Sequence, residues 1–395
     1  MVNEKMRMLG AKRSVIREIF EYGKKRKAEI GAENVFDFSL GNPSVPAPEA
    51  VGTALKELLE ERDPVSLHGY TSAQGDAGVR AAIAEYINEN YHAGVHADCI
   101  YLTVGAAASL TISLTALLHE GDEVVTLAPF FPEYTVFVER TGAKLVPVMN
   151  DRETFQPDFA ALEAAINEKT RAIIVNSPNN PTGSVLTEES VIALTDLLRR
   201  KAEEYGAPIY LISDEPYREL VYGDVKVPYF TNYYDNTIVC YSFSKSLSLP
   251  GERIGYVLVS PRAEDFTAVY QAVCGAGRAL GFVCAVSLFQ YMIPKVLGKT
   301  SDVSIYDRNR RLLYDALTEY GYFAVKPDGA FYLFVKALEE DAYAFCERAK
   351  EYELLLVPSD DFGCKGFVRI SYCVSTEQIE RALPAFRALA ESYRK

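Results

Sequence analysis

The sequence predicts an α/β protein built on a largely parallel sheet, with a second, smaller α+β unit, and three features of the 395-residue chain carry that expectation. Short β-rich runs alternate with helical stretches from Asp98 onward, which is the rhythm of crossover connections. The chain exceeds the roughly 250–300 residues at which a single core stops growing, so two cores are expected. After about Lys295 the rhythm changes to one long helix followed by scattered strands. The expected divisions are 1–45 as an N-terminal arm joining the smaller unit, 46–294 as the large unit, and 295–395 as the small C-terminal unit.

In chain order, residues 11–30 have a helical pattern that Gly31 ends, and 35–38 reads as extended. Leu40-Gly41-Asn42-Pro43 is a turn. Strands are expected at 100–103, 123–127, 144–148, 172–176, 209–214 and 237–241, with helices at 107–118, 158–166 and 188–205 among them. The run 255–259 follows a loop rather than a helix, which points to an antiparallel addition. In the C-terminal part, 331–335, 354–357 and 367–372 are strand-like. In sheets of this kind, functional groups gather where strands end and helices begin.

Composition narrows the function. A formal charge of −13 argues against nucleic acid as the main partner, since tracking a phosphate backbone needs a basic surface. No stretch reaches the ~18 apolar residues of a membrane helix, and the basic N-terminal region lacks an apolar segment with a cleavage site, so a cytoplasmic protein is expected. Seven scattered cysteines without a CxxC pair read as free thiols. The four histidines form no zinc-like group, and no metal is expected.

Four segments carry chemistry. Ser242-Phe243-Ser244-Lys245, with Arg253 eight positions beyond the lysine, turns one amine inward at a strand-to-loop junction and sets two hydroxyls and a forked guanidinium around one anion. Such an amine can form a Schiff base with an aldehyde, although the segment alone fits a solvated loop equally well. Val104-Gly105-Ala106-Ala107-Ala108-Ser109 lies between a strand and an apolar helix, where free N–H groups favour a phosphate; small residues also serve packing there. In Ser213-Asp214-Glu215-Pro216-Tyr217, Asp214 could pair with a protonated ring nitrogen and Tyr217 donate to a phenolic oxygen, though strand-ending acids commonly cap helices. The turn from Asn176 to Gly183, with two prolines, would aim an amide, best Asn180, at the same oxygen, unless it is an ordinary surface turn.

In this order the four segments resemble the class I/II aminotransferases, the aspartate aminotransferase family of fold type I pyridoxal phosphate (PLP) enzymes, over nearly the whole chain. The marks are Asn-Pro-Thr-Gly at 180–183, Asp214 with Tyr217, and Ser-x-Ser-Lys with Arg253. The resemblance implies the PLP-dependent transferase fold: a mostly parallel, seven-stranded-type sheet in the large domain, and a small domain formed by both chain ends. It implies Lys245 as Schiff-base lysine and proton carrier, Asp214 as partner of the pyridine nitrogen, and Asn180 and Tyr217 on the ring oxygen. Phe131 matches the aromatic stacked on the ring, while Ser242, Ser244, Arg253 and the backbone of Gly105, Ala106 and Ala107 would hold the phosphate. Tyr70 matches a tyrosine reaching the phosphate of a neighbouring subunit, which implies a homodimer with shared sites. Arg369 would grip the substrate α-carboxylate, helped by Gly41 and Asn180. Arg278 lies near, and about one residue out of register with, a cross-subunit arginine that reads dicarboxylates.

The implied reaction moves an amino group between an L-amino acid and a 2-keto acid, with 2-oxoglutarate expected, by ping-pong kinetics. Ala107 stands where similar aspartate-specific enzymes commonly carry a lysine, which puts aspartate preference in doubt. A carbon–sulfur β-lyase or synthase of the same fold is the nearest rival; Asn179, where lyases often have a histidine, favours transamination. A non-catalytic PLP-sensing regulator resembles such a chain fused to a DNA-binding domain, for which the residues before the first expected strand leave too little room.

Overall fold

In a computed structural model describing residues 1–11 and 14–394, a short strand, β1 (Phe36–Asp37), precedes seven strands that form one sheet. These are β2 (Ile100–Thr103), β3 (Glu123–Ala128), β4 (Lys144–Met149), β5 (Thr170–Asn176), β6 (Tyr210–Asp214), β7 (Thr237–Ser242) and β8 (Gly255–Val259). Their order is β2-β8-β7-β6-β5-β3-β4. The strand β8 runs antiparallel to β2 and β7, and every other pairing in the sheet is parallel.

The central strands are nearly continuous apolar runs because helices cover both faces of the sheet. On one face pack Ala106–Leu117 and Phe266–Ala279; on the other lie Phe159–Ala165 and Glu188–Tyr205. Parallel register then aligns the strand ends: Asn176 pairs with Asp214, and Asp214 with Cys240, two residues before the end of β7 at Ser242. The antiparallel β8 pairs Gly255 with Ser242, which brings Arg253 beside the same edge.

The C-terminal part adds β9 (Tyr332–Lys336), β10 (Leu354–Leu355), β11 (Val357–Pro358) and β12 (Phe367–Ser371). Three of them form an antiparallel sheet in the order β11-β12-β9, while β10 pairs parallel with β1. A second core forms here, and it takes in Phe38 and Val45 from the N-terminal part and Tyr217, Leu220 and Tyr222 from the loop after β6. Arg26 pairs with Glu353 at 2.5 Å, which ties the helix Val15–Ile30 to the C-terminal part.

Two expectations need correction. Residues 11–30 are not one helix: Glu4–Ala11 and Val15–Ile30 are separate, and the Ser14 hydroxyl caps the second by accepting from the Arg17 N–H at 3.3 Å. Lys12 and Arg13 lie outside the described residues. The run 354–357 is two strands, because the chain leaves β1 and joins β12 within a few residues. All seven cysteines carry free thiols. Among the described residues, no helix is long and apolar enough to cross a membrane.

Candidate active site

The ends of β5, β6 and β7 open on a cavity of about 320 Å³. Gly41, Ala106, Ala107, Phe131, Asn180, Asp214, Tyr217, Ser242, Ser244, Lys245, Arg253 and Arg369 all line it. The structure thus brings twelve of the fifteen sequence-derived residues to one space. Gly105 sits one step behind, as the N-cap of Ala106–Leu117. Its φ of +95° suits glycine, and a Cβ there would lie 2.5 Å from Arg253 Nη2. Tyr70, 91% exposed, and the exposed Arg278 are not among the lining residues.

One end of the cavity is built for an anion. The helix Ala106–Leu117 presents its first N–H groups there, those that no helical carbonyl can reach. Opposite them, Ser242 and Ser244 share a hydroxyl contact of 2.7 Å, and Arg253 Nη1 donates to Ser244 Oγ at 3.3 Å. Arg253 also donates to the Pro250 carbonyl at 2.9 Å, which fixes its fork.

In the middle stand Lys245 and Asp214. The Lys245 ammonium donates to the Gly41 carbonyl at 2.7 Å, and burial, offset in part by Cys373, pulls its pKa down to about 8. Asp214 is 4% exposed, and burial pushes its carboxyl up to about 7 against the opposing effect of Tyr134, whose hydroxyl donates to Oδ2 at 2.5 Å. The other oxygen, Oδ1, is buried and has no hydrogen-bond partner in the protein. Buried polar atoms are rarely left so, and one on a residue that lines the same cavity as a lysine fits a protonated ring nitrogen.

At the far end is Arg369, 3% exposed on β12. Its Nη1 donates to Asn180 Oδ1 at 3.2 Å and its Nη2 to the Ser39 carbonyl at 2.6 Å, while Nε has no partner. The guanidinium carbon lies 4.7 Å from the ring centroid of Tyr332 and 5.2 Å from that of Phe362. The Tyr217 and Tyr332 hydroxyls meet at 2.9 Å, and burial, above all, pushes the Tyr217 phenol well above its ordinary value, so it stays protonated. A free donor on a buried guanidinium suits a carboxylate ligand.

Sequence reasoning missed several contributors. Asn176 anchors the site twice: its amide donates to the Asp214 carbonyl at 2.9 Å, and its Oδ1 accepts from the Asn180 N–H at 2.7 Å. It lies inside the turn already singled out, so strand-end position was an available signal. Tyr134 follows Phe131 by three residues, a turn whose Tyr134 N–H bonds the Phe131 carbonyl at 3.0 Å. Ile16, from the start of Val15–Ile30, and Leu110 also line the cavity, and nothing local in the sequence marks either.

Residues 33–386 match the family model for aminotransferase class I and II. The chain is 31% identical to an aspartate aminotransferase of Thermotoga maritima over 93% of its own length and 95% of that protein's. It is 30% identical to aromatic-amino-acid aminotransferase 2 of Thermococcus litoralis, covering 94% of each. Among solved structures, an aminotransferase from Eubacterium rectale is 59% identical with a TM-score of 0.99 over 100% of both chains. Aspartate aminotransferase from Thermus thermophilus with maleate superposes with a TM-score of 0.86 at 28% identity, covering 98% of this chain and 100% of that one. With this fold, this cavity and these relatives, the chain belongs to the class I and II aminotransferases and is a PLP-dependent transaminase.

Proposed function

We propose that this transaminase uses 2-oxoglutarate as amino acceptor, with Lys245 as its catalytic amine, Asp214 facing the cofactor ring nitrogen and Arg369 holding the substrate α-carboxylate. The observation that carries the reading is that Lys245, Asp214 and Arg369 line one cavity, with Asp214 Oδ1 and Arg369 Nε buried and without a hydrogen-bond partner in the protein.

When bound, pyridoxal phosphate supplies an aldehyde that takes up the amino group and a ring that withdraws electrons from the substrate α-carbon. Ser242, Ser244, Arg253 and the first N–H groups of Ala106–Leu117 would hold its phosphate. Asn180 and Tyr217, which line the cavity, would bond the ring oxygen, and Phe131 would cover one ring face. With a pKa of about 8, Lys245 is unprotonated in about one molecule in ten at pH 7, far more often than an ordinary lysine. Its Nζ would take up the proton released from the substrate α-carbon and hold it for the transfer that completes the amino exchange. Arg369 orients the substrate for that transfer, and Gly41 leaves room for the Tyr332 hydroxyl, which a Cβ there would meet at 1.9 Å.

Tyr70 supports a homodimer with sites completed across the interface. Val65, close in sequence to Tyr70, is 81% exposed, Val283 and Val286 are exposed as well, and the Ser287 hydroxyl bonds the Leu67 carbonyl at 2.8 Å. Such exposed apolar side chains suit a second copy of the chain, and Arg278 would act from that copy.

The test follows the absorbance of bound cofactor as single amino acids are added without acceptor, then as 2-oxoglutarate is added. Conversion by the amino acid and reversal by 2-oxoglutarate are expected. Release of pyruvate and ammonia from cystathionine without a keto acid would move the assignment to the lyase. Mixed dimers of Lys245→Ala and Tyr70→Phe should recover activity that neither variant shows alone; failure to recover would refute the shared site.

A further inference from the structure

Asp214 closes β6, and its two oxygens stand in different surroundings although both are buried. Oδ2 accepts the Tyr134 hydroxyl at 2.5 Å, and Oδ1 accepts nothing in the protein. Tyr134 belongs to Glu133–Glu139, the helix that begins just after Phe131, and it packs between two rings: edge-on to Phe131 at 5.7 Å and stacked with Phe130 at 6.4 Å. That packing leaves the phenol 1% exposed and fixed in direction. Burial first, then the charge of Asp214, pushes the Tyr134 phenol well above its ordinary value, so it remains a donor throughout the working pH range.

The other groups near Asp214 do not compete for it. Glu215 turns to Ser213 Oγ at 2.6 Å and Arg218 Nε at 2.5 Å, the Tyr217 hydroxyl meets Tyr332, and the Cys240 thiol lies 3.5 Å from Ser113 Oγ. Asn176 bonds the Asp214 main-chain carbonyl rather than its carboxylate.

We infer that Tyr134 is a positioning residue that assigns the two oxygens of Asp214, holding Oδ2 itself so that Oδ1 is turned to the ring nitrogen of the cofactor. The inference rests on the cofactor placement proposed above. One short segment thereby governs two faces of the ring, since Phe131 would lie against it while Tyr134, three residues on, sets the acid at its nitrogen. Without the hydroxyl, Asp214 would be free to rotate, and its ionised form would lose a stabilising donor in a buried setting.

The test compares two ligands on cofactor-free enzyme: pyridoxal phosphate and its analogue with carbon in place of the ring nitrogen. Dissociation constants are measured by spectroscopic titration for wild type and Tyr134→Phe, and melting temperatures of the unliganded proteins report folding. Loss of one charge-assisted hydrogen bond is expected to weaken pyridoxal phosphate by about tenfold or more, while the analogue changes by less than about twofold. Equal weakening of both ligands, or of neither, overturns the inference, because a merely structural tyrosine acts on both alike. Tyr134→Met, which also lacks a donor, serves if the phenylalanine variant does not fold. If wild type binds pyridoxal phosphate and the analogue equally well, the facing of Asp214 to the nitrogen fails; if only the variant comparison fails, Tyr134 alone loses its role.

Discussion

Replacing Arg369 by lysine keeps the charge and removes the geometry, so it separates the two contributions to substrate binding. The guanidinium is held by Asn180 and Ser39 through its Nη atoms, and it lies against the rings of Tyr332 and Phe362. Its Nε is a buried donor without a partner in the protein. A lysine ammonium reaching the same space brings neither Nε nor the planar fork, so at least one charged hydrogen bond to substrate is lost. Such a bond contributes about 1.5–3 kcal/mol, which at 1.4 kcal/mol per factor of ten is a fall of about 10- to 150-fold in kcat/KM. The loss should fall mainly on KM, because a group assigned to the α-carboxylate binds it in ground and transition states alike. The assay is the single-turnover half-reaction over a range of amino acid concentrations, with cofactor retention checked separately. Unchanged kcat/KM, or a loss confined to kcat, would refute the assignment of the α-carboxylate to Arg369.

Lys245→Ala should abolish turnover and the absorbance of lysine-bound cofactor while leaving the melting temperature of the cofactor-free protein within a few degrees of wild type; retained activity would refute its catalytic role. Gly41→Ala places a methyl against the Tyr332 hydroxyl and so displaces the Tyr217 bond as well; about 1–3 kcal/mol of destabilisation and a raised KM are expected from melting and steady-state assays. Glu219, after β6, has a buried Oε2 without a partner, and burial pushes its carboxyl up to about 7, opposed by a hydrogen bond from Tyr241 at 2.9 Å. Because the folded state keeps this proton to higher pH than the unfolded chain does, Glu219 costs stability as pH rises from about 4.5 to 7, by at most ~3 kcal/mol. Glu219→Gln should therefore gain melting temperature over wild type at pH 8 and little at pH 4.5; a gain independent of pH would refute the titration.

Several of the residues that sequence alone picked out sit at or just after strand ends, where chain direction and register decide what faces the cavity. Asn180 and Lys245 follow β5 and β7, and Asp214 closes β6, so adjacency in the sheet makes neighbours of residues far apart in sequence. What escaped notice is the set of partners, since each pairing is non-local. Tyr134 and Asp214 are 80 residues apart, and Arg369 and Asn180 are 189 apart. No local pattern fixes such contacts, because they depend on how helices cover the sheet. The split of 354–357 has a similar origin: a short apolar run shows that a strand will form but does not show which neighbour it will join.

The segment 38–41 shows why the site depends on both parts of the chain. Four consecutive carbonyls there go to four different donors: Phe38 to the Ser371 N–H at 2.9 Å, Ser39 to Arg369, Leu40 to the Cys373 thiol at 3.5 Å, and Gly41 to Lys245. Three of those donors belong to β12 or the residues just after it, and the fourth to the short helix Phe243–Ser246 that follows β7. The N-terminal segment is therefore the strut that sets the distance between the Lys245 amine, proposed to handle the α-proton, and the Arg369 guanidinium, proposed to hold the α-carboxylate. Those two groups act on adjacent atoms of one substrate, so an error of about 1 Å in that strut would lower the rate without touching either side chain.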